Sequence, residues 1–375
     1  MKHFLLIAFA ILLYGKCFRL SAQNLPSSST PPQQDSPTRL LRIYEDDDFL
    51  NIRGQGTDDA YTNGTRIELF YTKKNPSRFF LDRALPKAGD SSINVFGWGV
   101  MELMYTPDNI TDPDYQPNDY PWSAALTATH TLYSYNPRKK YDLQTEVVGG
   151  IMGPAAFGQQ IQTGVHRMIH YLRPEGWDRQ YRNALLLNVN FTAEKQLASW
   201  GSHVEVIGAS QVFLGTMQNG LAFYPLIRIG KMAPYFNGFF SQYTGSRRHT
   251  GGRRRNEWQA YFVIKPEGQL IFTNALLEGG LFTSNPNMKK GPEKAAAADS
   301  QPDQPGKTSQ SDHADAANQD PQPYHDLRRL VWSVNYGAVV SSGHFGISFI
   351  QNTSSAMMKG LYNHEVGNIS IYYAW

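Results

Sequence analysis

Alternation of apolar and polar residues is the sequence feature that most constrains this fold. It recurs in segments of about ten residues that are separated by turn-rich stretches. The clearest examples are ALLLNVNFTAE at 184–194 and RLVWSVNYGAVV at 329–340. Strict period-two alternation predicts β-strands with one apolar and one polar face. Many such strands in one chain favour a transmembrane β-barrel, in which one face contacts lipid and the other the lumen.

The two ends of the chain support this interpretation. Lys2 and His3 precede a short apolar run at 4–14, and small residues follow at 21–22, which predicts a secretory signal peptide over 1–22. The run is shorter than the roughly 20 residues of a membrane-spanning helix. Cys17 is the only cysteine and lies inside this segment, so we expect no disulfide and no cysteine metal site afterwards. The chain ends on NISIYYAW, an alternating strand with a terminal aromatic residue, which is typical of outer-membrane barrels.

Composition bears on the partners of the chain. Aromatic residues make up 13% and charged residues 18%, with a formal net charge of +3. This near balance predicts no nucleic-acid partner, and we interpret the arginine-rich run at 247–255 as a solvated turn. We expect a monomer in contact with outer-membrane lipid, exported to the outer membrane of a Gram-negative bacterium.

The pattern predicts an all-β fold, a twelve-stranded antiparallel outer-membrane β-barrel over residues 39–375. The predicted strands are 39–50, 61–73, 95–107, 123–136, 141–153, 183–198, 203–216, 220–231, 257–275, 327–342, 344–354 and 364–375. Residues 23–38 are predicted to be a disordered periplasmic leader. Residues 286–325, rich in Ala, Asp, Gln, Pro and Ser, are predicted to be a low-complexity extracellular loop. Loops after odd-numbered strands face outward.

One extracellular loop contains a helical pattern. The stretch GPAAFGQQIQTGVHRMIHYLRPEGW opens with Pro154 and closes with Pro174 and Gly176. Gln162 and His166 lie four residues apart, so both project from the same side of the helix. An apolar stripe runs beside them and suits either packing on the barrel or contact with an acyl chain. Its residues are Phe157, Ile161, Val165, Met168, Ile169 and Leu172.

Six motifs in order resemble the lipid A 3′-O-deacylase family, the outer-membrane LpxR type. They are EDDDF (45–49), DDAYTNG (58–64), MYTPD (104–108), NDYPWSA (118–124), GPAAFGQQIQTGVHRMI (153–169) and GWDRQ (176–180). The resemblance runs from about residue 40 to the C-terminus. It implies an active site between the barrel wall and the loop helix, and a calcium-dependent ester hydrolase that acts on lipid A in lipopolysaccharide.

Residue roles follow from the resemblance by position. It implies that His166 and Asp47 form a catalytic dyad, with Gln162, Thr62 and Asp46 supporting the substrate or the oxyanion. The chemistry is consistent, because an imidazole with a pKa near 6.5 can take a proton from water, and a carboxylate stabilises the imidazolium that results.

Calcium is the implied cofactor, and its ligands are left open. Ca²⁺ takes six to eight oxygen ligands. The candidates are Asp46, Asp48, Asp58 and Asp59, which equally suit a solvated loop.

The chain departs from the family pattern at three positions. Asp46 stands where an asparagine is expected, Tyr120 replaces an arginine, and Asp112 lies where basic residues are expected. Basic groups there would meet lipid A phosphates, so two alternatives stay open: a calcium-dependent phospholipase-like esterase, and a non-catalytic barrel or pore. Tyr120 and Trp122 also suit an interfacial aromatic belt.

Overall fold

A computed structural model describes residues 38–52, 60–248, 254–281 and 326–375. Within these ranges twelve antiparallel strands close into one barrel, which confirms the predicted fold. The strands are β1 (Arg39–Asp47), β2 (Ala60–Thr72), β3 (Ile93–Thr106), β4 (Ser123–Asn136), β5 (Tyr141–Met152), β6 (Ala184–Trp200), β7 (Val204–Gly215), β8 (Gln218–Lys231), β9 (Trp258–Asn274), β10 (Leu330–Ser342), β11 (Phe345–Ser354) and β12 (His364–Ala374). The predicted signal peptide at 1–22, most of the predicted leader, Asp58, Asp59 and the predicted loop at 286–325 lie outside the described residues.

Each strand pairs with its chain neighbours, and β1 closes the ring by pairing with β12. The pairing of Leu40 with Ala374 places both ends of the barrel at the same rim. The turns at 137–140, 201–203 and 343–344 join strands at this rim, whereas the connections at 153–183 and 275–329 join strands at the opposite rim. Outer-membrane barrels have short periplasmic turns and longer extracellular loops. The rim with the termini is therefore periplasmic.

Exposure follows the alternation along each strand. Leu185 and Leu187 are 78% and 64% exposed, whereas Leu186 between them is 1% exposed. Trp98, Val100, Trp332 and Ile371 are likewise exposed on the outer face. Because the backbone polar groups are paired around the ring, the wall presents an apolar surface to lipid and encloses the polar faces.

Four short helices accompany the strands in the described ranges. They are α1 (Phe80–Ala84), α2 (Gly158–Ile169), α3 (Phe239–Tyr243) and α4 (Ala275–Glu278). Single 3₁₀ turns occur at Asp48–Leu50, Pro154–Ala156, Trp177–Arg179 and Tyr235–Asn237, and a small hairpin pairs Ser246–Arg248 with Arg254–Asn256. No helix of the described part is long and apolar enough to cross a membrane.

Helices α3 and α4 pack inside the two ends of the lumen. At the periplasmic end, the ring of Phe239 in α3 lies 4.7 Å from that of Phe70 and 4.8 Å from that of Tyr133. At the outer end, the hydroxyl of Ser123 donates to the Leu276 carbonyl at 2.7 Å, and that of Tyr181 donates to the Leu277 carbonyl at 2.9 Å. This packing argues against the pore alternative, because a porin keeps a water-filled channel.

A chamber of about 420 Å³, the lumen chamber, lies inside the barrel. Its lining includes Arg42, Tyr44, Asp46, Lys265 and His364. Nearby, Glu68 is buried and pairs with both Arg42 and Arg66, and Arg66 also reaches Glu146 across the lumen. The charges of this part of the lumen are therefore compensated within the barrel.

Candidate active site

Helix α2 confirms the predicted loop helix, although its ends differ from the prediction. Pro154 begins a 3₁₀ turn, Phe157 then takes a left-handed conformation with φ of 64°, and the helix itself starts at Gly158. A Cβ at Gly158 would lie 2.5 Å from the Cβ of Ala124, so only glycine allows this close approach to β4. The helix ends at Ile169, since His170 is also left-handed with φ of 58°.

The structure decides which face of α2 meets the barrel, which the sequence left open. Gly158, Gln162 and His166 are buried, whereas Val165 is 43% and Met168 72% exposed. The polar face therefore turns towards the barrel wall and the apolar stripe turns away from it. Packing of the stripe on the barrel is the wrong interpretation. The stripe continues the lipid-facing surface at the outer rim.

A buried tryptophan orients the Gln162 side chain through a hydrogen bond. The indole nitrogen Nε1 of Trp177 donates to Oε1 of Gln162 at 2.7 Å. Trp177 is fully buried, and its ring lies 5.0 Å from that of Trp122. Both tryptophans belong to a cluster under the helix with Met104, Ile110, Ala124 and Ala156. Trp122 and Tyr120 are buried, so their interpretation as interfacial belt residues is wrong.

His166 is 6% exposed, and its contact with the backbone defines its tautomer. Its Nδ1 lies 2.5 Å from the carbonyl oxygen of Leu172. A carbonyl oxygen only accepts hydrogen bonds, so Nδ1 carries the proton and Nε2 is the basic nitrogen. The left-handed residue His170 ends the helix, and the chain then brings the Leu172 carbonyl to the histidine ring.

Asp46 and Asp47 lie on opposite sides of the wall. Asp46 lines the lumen chamber and accepts hydrogen bonds from the hydroxyls of Tyr44 and Tyr61. Asp47 follows it at the end of β1, and alternation turns it to the outer face. Oδ1 of Asp47 accepts from the backbone N–H of Phe49 at 2.8 Å and so caps the 3₁₀ turn at Asp48–Leu50. This cap ends β1 three residues earlier than predicted.

Thr62 lies at the same outer rim, at an irregularity in the pairing of β2 with β3. It is 4% exposed, and its hydroxyl oxygen is 2.6 Å from that of Thr106. Neighbouring strands connect Asp47 to the helix: Asp47 pairs with Asn63 on β2, and Tyr105 on β3 pairs with Ser123 on β4. The structure therefore brings Asp47, Thr62 and α2 to one rim and separates Asp46 from them.

The oxygen donors at this rim suit a hard cation. They are the carboxylates of Asp47 and Asp48 and the hydroxyls of Thr62 and Thr106, and Asp48 is 3% exposed. No group of three His, Cys, Asp or Glu side chains that could hold a metal is found in the part of the chain that the structure describes. The calcium ligands stay a prediction.

The departures from the family pattern have different surroundings. Tyr120 packs into the outer end of the lumen, where its hydroxyl donates to the Tyr362 carbonyl and accepts from the Met357 amide, both at 3.2 Å. Burial raises the pKa of Tyr120 to about 12. Asp112 lies in the loop, and its Oδ1 accepts from the backbone N–H of Asp114 at 2.9 Å. Neither position supplies a cation for a phosphate.

A family model described as outer membrane protein LpxR matches residues 5–298. The chain belongs to the LpxR family. It is accordingly an outer-membrane protein, as predicted. A search of curated proteins finds no match.

Two solved structures are similar to this chain to different degrees. LpxR from Salmonella typhimurium is similar at 15% identity with a TM-score of 0.63, covering 90% of this chain and 100% of that one. The beta domain of the Bordetella autotransporter BrkA matches at 9% identity and a TM-score of 0.38, covering 90% of this chain and 99% of that one. The likeness to the Salmonella protein shows the barrel fold.

The sequence interpretation missed three groups at this LpxR-family site. Trp177 and Thr106 stand inside recognised motifs, GWDRQ and MYTPD, but their partners Gln162 and Thr62 are distant along the chain. The Leu172 carbonyl carries no side-chain signal at all.

Proposed function

We propose that this protein is an outer-membrane ester hydrolase that removes the 3′-linked acyl chain or chains of lipid A. One observation carries the proposal most directly. A buried histidine with a defined basic nitrogen lies on the wall side of a helix whose other side offers an apolar stripe to the outer leaflet. Lipid A is a lipid of that leaflet, and membership of the LpxR family supports the same substrate.

In the proposed reaction His166 is the general base. Its Nε2 takes a proton from water, the hydroxide adds to the ester carbonyl, and a tetrahedral oxyanion forms. The imidazolium then gives this proton to the sugar oxygen as the carbon–oxygen bond breaks, which releases a fatty acid and a sugar hydroxyl. The carboxylate of Asp47 stabilises the imidazolium, while the Leu172 carbonyl keeps Nδ1 protonated.

The other residues support the oxyanion and the substrate. Gln162, oriented by Trp177, and Thr62, oriented by Thr106, are the proposed supports. Of the predicted calcium candidates, Asp48 is the proposed ligand at this rim, together with the neighbouring hydroxyl oxygens. A bound Ca²⁺ would supply charge stabilisation for the oxyanion. Asp46, which faces the lumen chamber, is left out of this proposal.

A glycerophospholipid esterase is the second candidate. The observation that favours it is that Tyr120 and Asp112 themselves carry no positive charge at the positions where the family pattern has basic residues to meet lipid A phosphates. The same base and the same acyl-chain surface would serve this substrate.

Mass spectrometry of lipid A decides between the candidates. Cells that carry the protein should contain lipid A without its 3′ acyl chains, and cells that carry His166→Ala should not. Purified protein should lose this activity in EGTA and regain it with Ca²⁺, with poor recovery in Mg²⁺, which demands a tighter octahedral shell. Full activity in chelator would contradict the calcium step. Intact lipid A with hydrolysed phospholipid would favour the second candidate.

A further inference from the structure

A second segment lies on the lipid-facing wall, at the periplasmic end of the barrel. Residues 73–87 follow β2 and include α1, and we call them the wall segment. The ring of Phe79 in this segment lies 5.9 Å from that of Trp98 and 5.1 Å from that of His130. Trp98 is 48% exposed on the outer face of β3, and His130 is its partner on β4. The wall segment therefore packs on the outside of the barrel and not beneath its mouth.

A buried carboxylate fastens the wall segment to the barrel. Asp82 is 1% exposed, and its Oδ1 lies 2.6 Å from Nε2 of His130. Its Oδ2 accepts from Nζ of Lys73 at 2.7 Å and from the hydroxyl of Ser77 at 2.5 Å. Burial acts to raise the pKa of Asp82, but the hydrogen bonds from Lys73, Ser77 and His130 outweigh it and lower the pKa. The segment is thus held in one orientation.

The opposite side of the wall segment is cationic and carries one exposed aromatic ring. Phe80 is 68% exposed. The exposed basic residues of the segment are Lys74, Arg78, Arg83 and Lys87. Asp82 is the only acidic residue within 73–87, and it points to the wall. The outward surface therefore combines positive charge with an apolar side chain, the combination of an interfacial lipid-binding element.

The height of the segment places it at the periplasmic leaflet. Trp98 comes five residues after Ile93, where β3 begins at the periplasmic rim. A rise of about 3.3 Å per residue and a tilt of about 40° put Trp98 about 13 Å from that rim. The apolar band of such a barrel is about 25 Å tall. The wall segment follows β2 at the periplasmic rim and reaches as far as Trp98, so it lies beside the periplasmic leaflet.

We propose that the wall segment binds an anionic glycerophospholipid of the periplasmic leaflet. Arg78 and Arg83 contact the phosphate, Lys74 and Lys87 add long-range attraction, and Phe80 inserts among the acyl chains. Charge complementarity and continuity with the lipid-facing wall identify this occupant. The proposal is independent of ester hydrolysis, because the segment lies at the opposite rim from α2.

Native mass spectrometry of the full-length folded protein tests this proposal. The protein in detergent is mixed with phosphatidylglycerol or with phosphatidylcholine of identical acyl chains, and the bound lipid is counted. The parent should retain phosphatidylglycerol preferentially. Arg78→Gln with Arg83→Gln should reduce that retention about tenfold, since each basic residue near an anionic surface contributes to binding.

The matched control removes the same charge elsewhere on the periplasmic side. Arg138→Gln with Lys139→Gln changes two exposed basic residues at the tip of the β4–β5 turn, away from the wall. This control should retain phosphatidylglycerol as the parent does. Equal loss in both double variants would reduce the effect to general electrostatics and overturn the proposal, as would unchanged retention in the first. Heat-modifiable gel migration checks that each variant is folded.

Discussion

The outer helix α2 and the periplasmic wall segment both pack on the outside of the barrel, one at each rim. Each packs on the lipid-facing wall and exposes apolar side chains to the membrane, and a histidine is buried between the segment and the wall. His166, on the wall-facing side of α2, is 6% exposed, and His130, on the wall beneath the wall segment, is 3% exposed. The two rings differ in their contacts: Nδ1 of His166 contacts the backbone carbonyl of Leu172, whereas Nε2 of His130 contacts the carboxylate of Asp82 directly.

This difference shows that a histidine beside an aspartate is weak evidence of catalysis. Both oxygens of Asp82 are engaged, by His130 on one side and by Lys73 and Ser77 on the other. The ring of His130 is also enclosed, 4.3 Å from that of Trp98. Such a pair has a structural role, because the charge of the carboxylate is already compensated by its partners. A catalytic histidine needs a nitrogen that can exchange a proton with water.

The largest expected effect separates the two histidines by activity. His166→Ala and Asp47→Asn should each lower the deacylation rate by at least about 10²-fold, because both remove acid–base assistance. His130→Asn should leave the rate per folded molecule unchanged. The rate is measured on purified lipid A in detergent, with the folded fraction determined by gel migration.

Asp46→Asn is the matched control for Asp47→Asn, because Asp46 faces the lumen chamber on the other side of the wall. It should do less damage to the rate. A sensitive Asp46 together with a tolerant Asp47 would show that the dyad has been assigned to the wrong side of β1.

The second prediction concerns stability. Here the larger effect is expected at the wall segment and not at α2. Asp82→Ala removes the acceptor of three hydrogen bonds and leaves Lys73 and His130 without it. The free energy of unfolding should fall by about 2 kcal/mol, as for other buried charged hydrogen bonds. Urea unfolding in lipid vesicles measures it. Asp90→Ala, which removes an exposed acid just beyond the wall segment, should have no effect.

The same variant predicts a pH dependence. The pKa of Asp82 in the folded protein lies below its unfolded value of about 4, so the ionised form stabilises the fold above that pH. This stabilisation is lost as the pH falls through the folded pKa. The difference in unfolding free energy between parent and Asp82→Ala should therefore be full at pH 7 and shrink below about pH 4. A difference that stays constant down to pH 2 would contradict the ion pair.

The smallest expected effect tests how Gln162 is oriented. Trp177→Phe removes the indole donor to Gln162 and should lower kcat/KM about fivefold, the effect of one neutral hydrogen bond. Trp122→Phe is the control, because Nε1 of Trp122 makes no hydrogen bond within the described ranges. Equal losses in the two variants would assign the effect to packing of the tryptophan pair and not to the hydrogen bond.

The sequence by itself determined the barrel. Each strand has a lipid-facing side, so the requirement for apolar residues repeats every second position and can be read locally. All twelve predicted strands are found, and most ends agree within three residues, as for β5 and β10. The helix in the loop after β5 was also predictable, because its apolar stripe recurs at helical spacing. Motif order was sufficient to identify the LpxR family.

Only the tertiary structure decided how the segments between strands are used. The periodicity of α2 predicts an apolar side but not whether that side meets the wall or the membrane, and the close contact at Gly158 decided it. The partners Gln162 and Trp177 are 15 residues apart, and Asp82 and His130 are 48 apart. Helices α3 and α4 pack at the ends of the lumen through similarly distant contacts. Such contacts depend on which strands are adjacent in the closed barrel. A local sequence pattern does not contain that information.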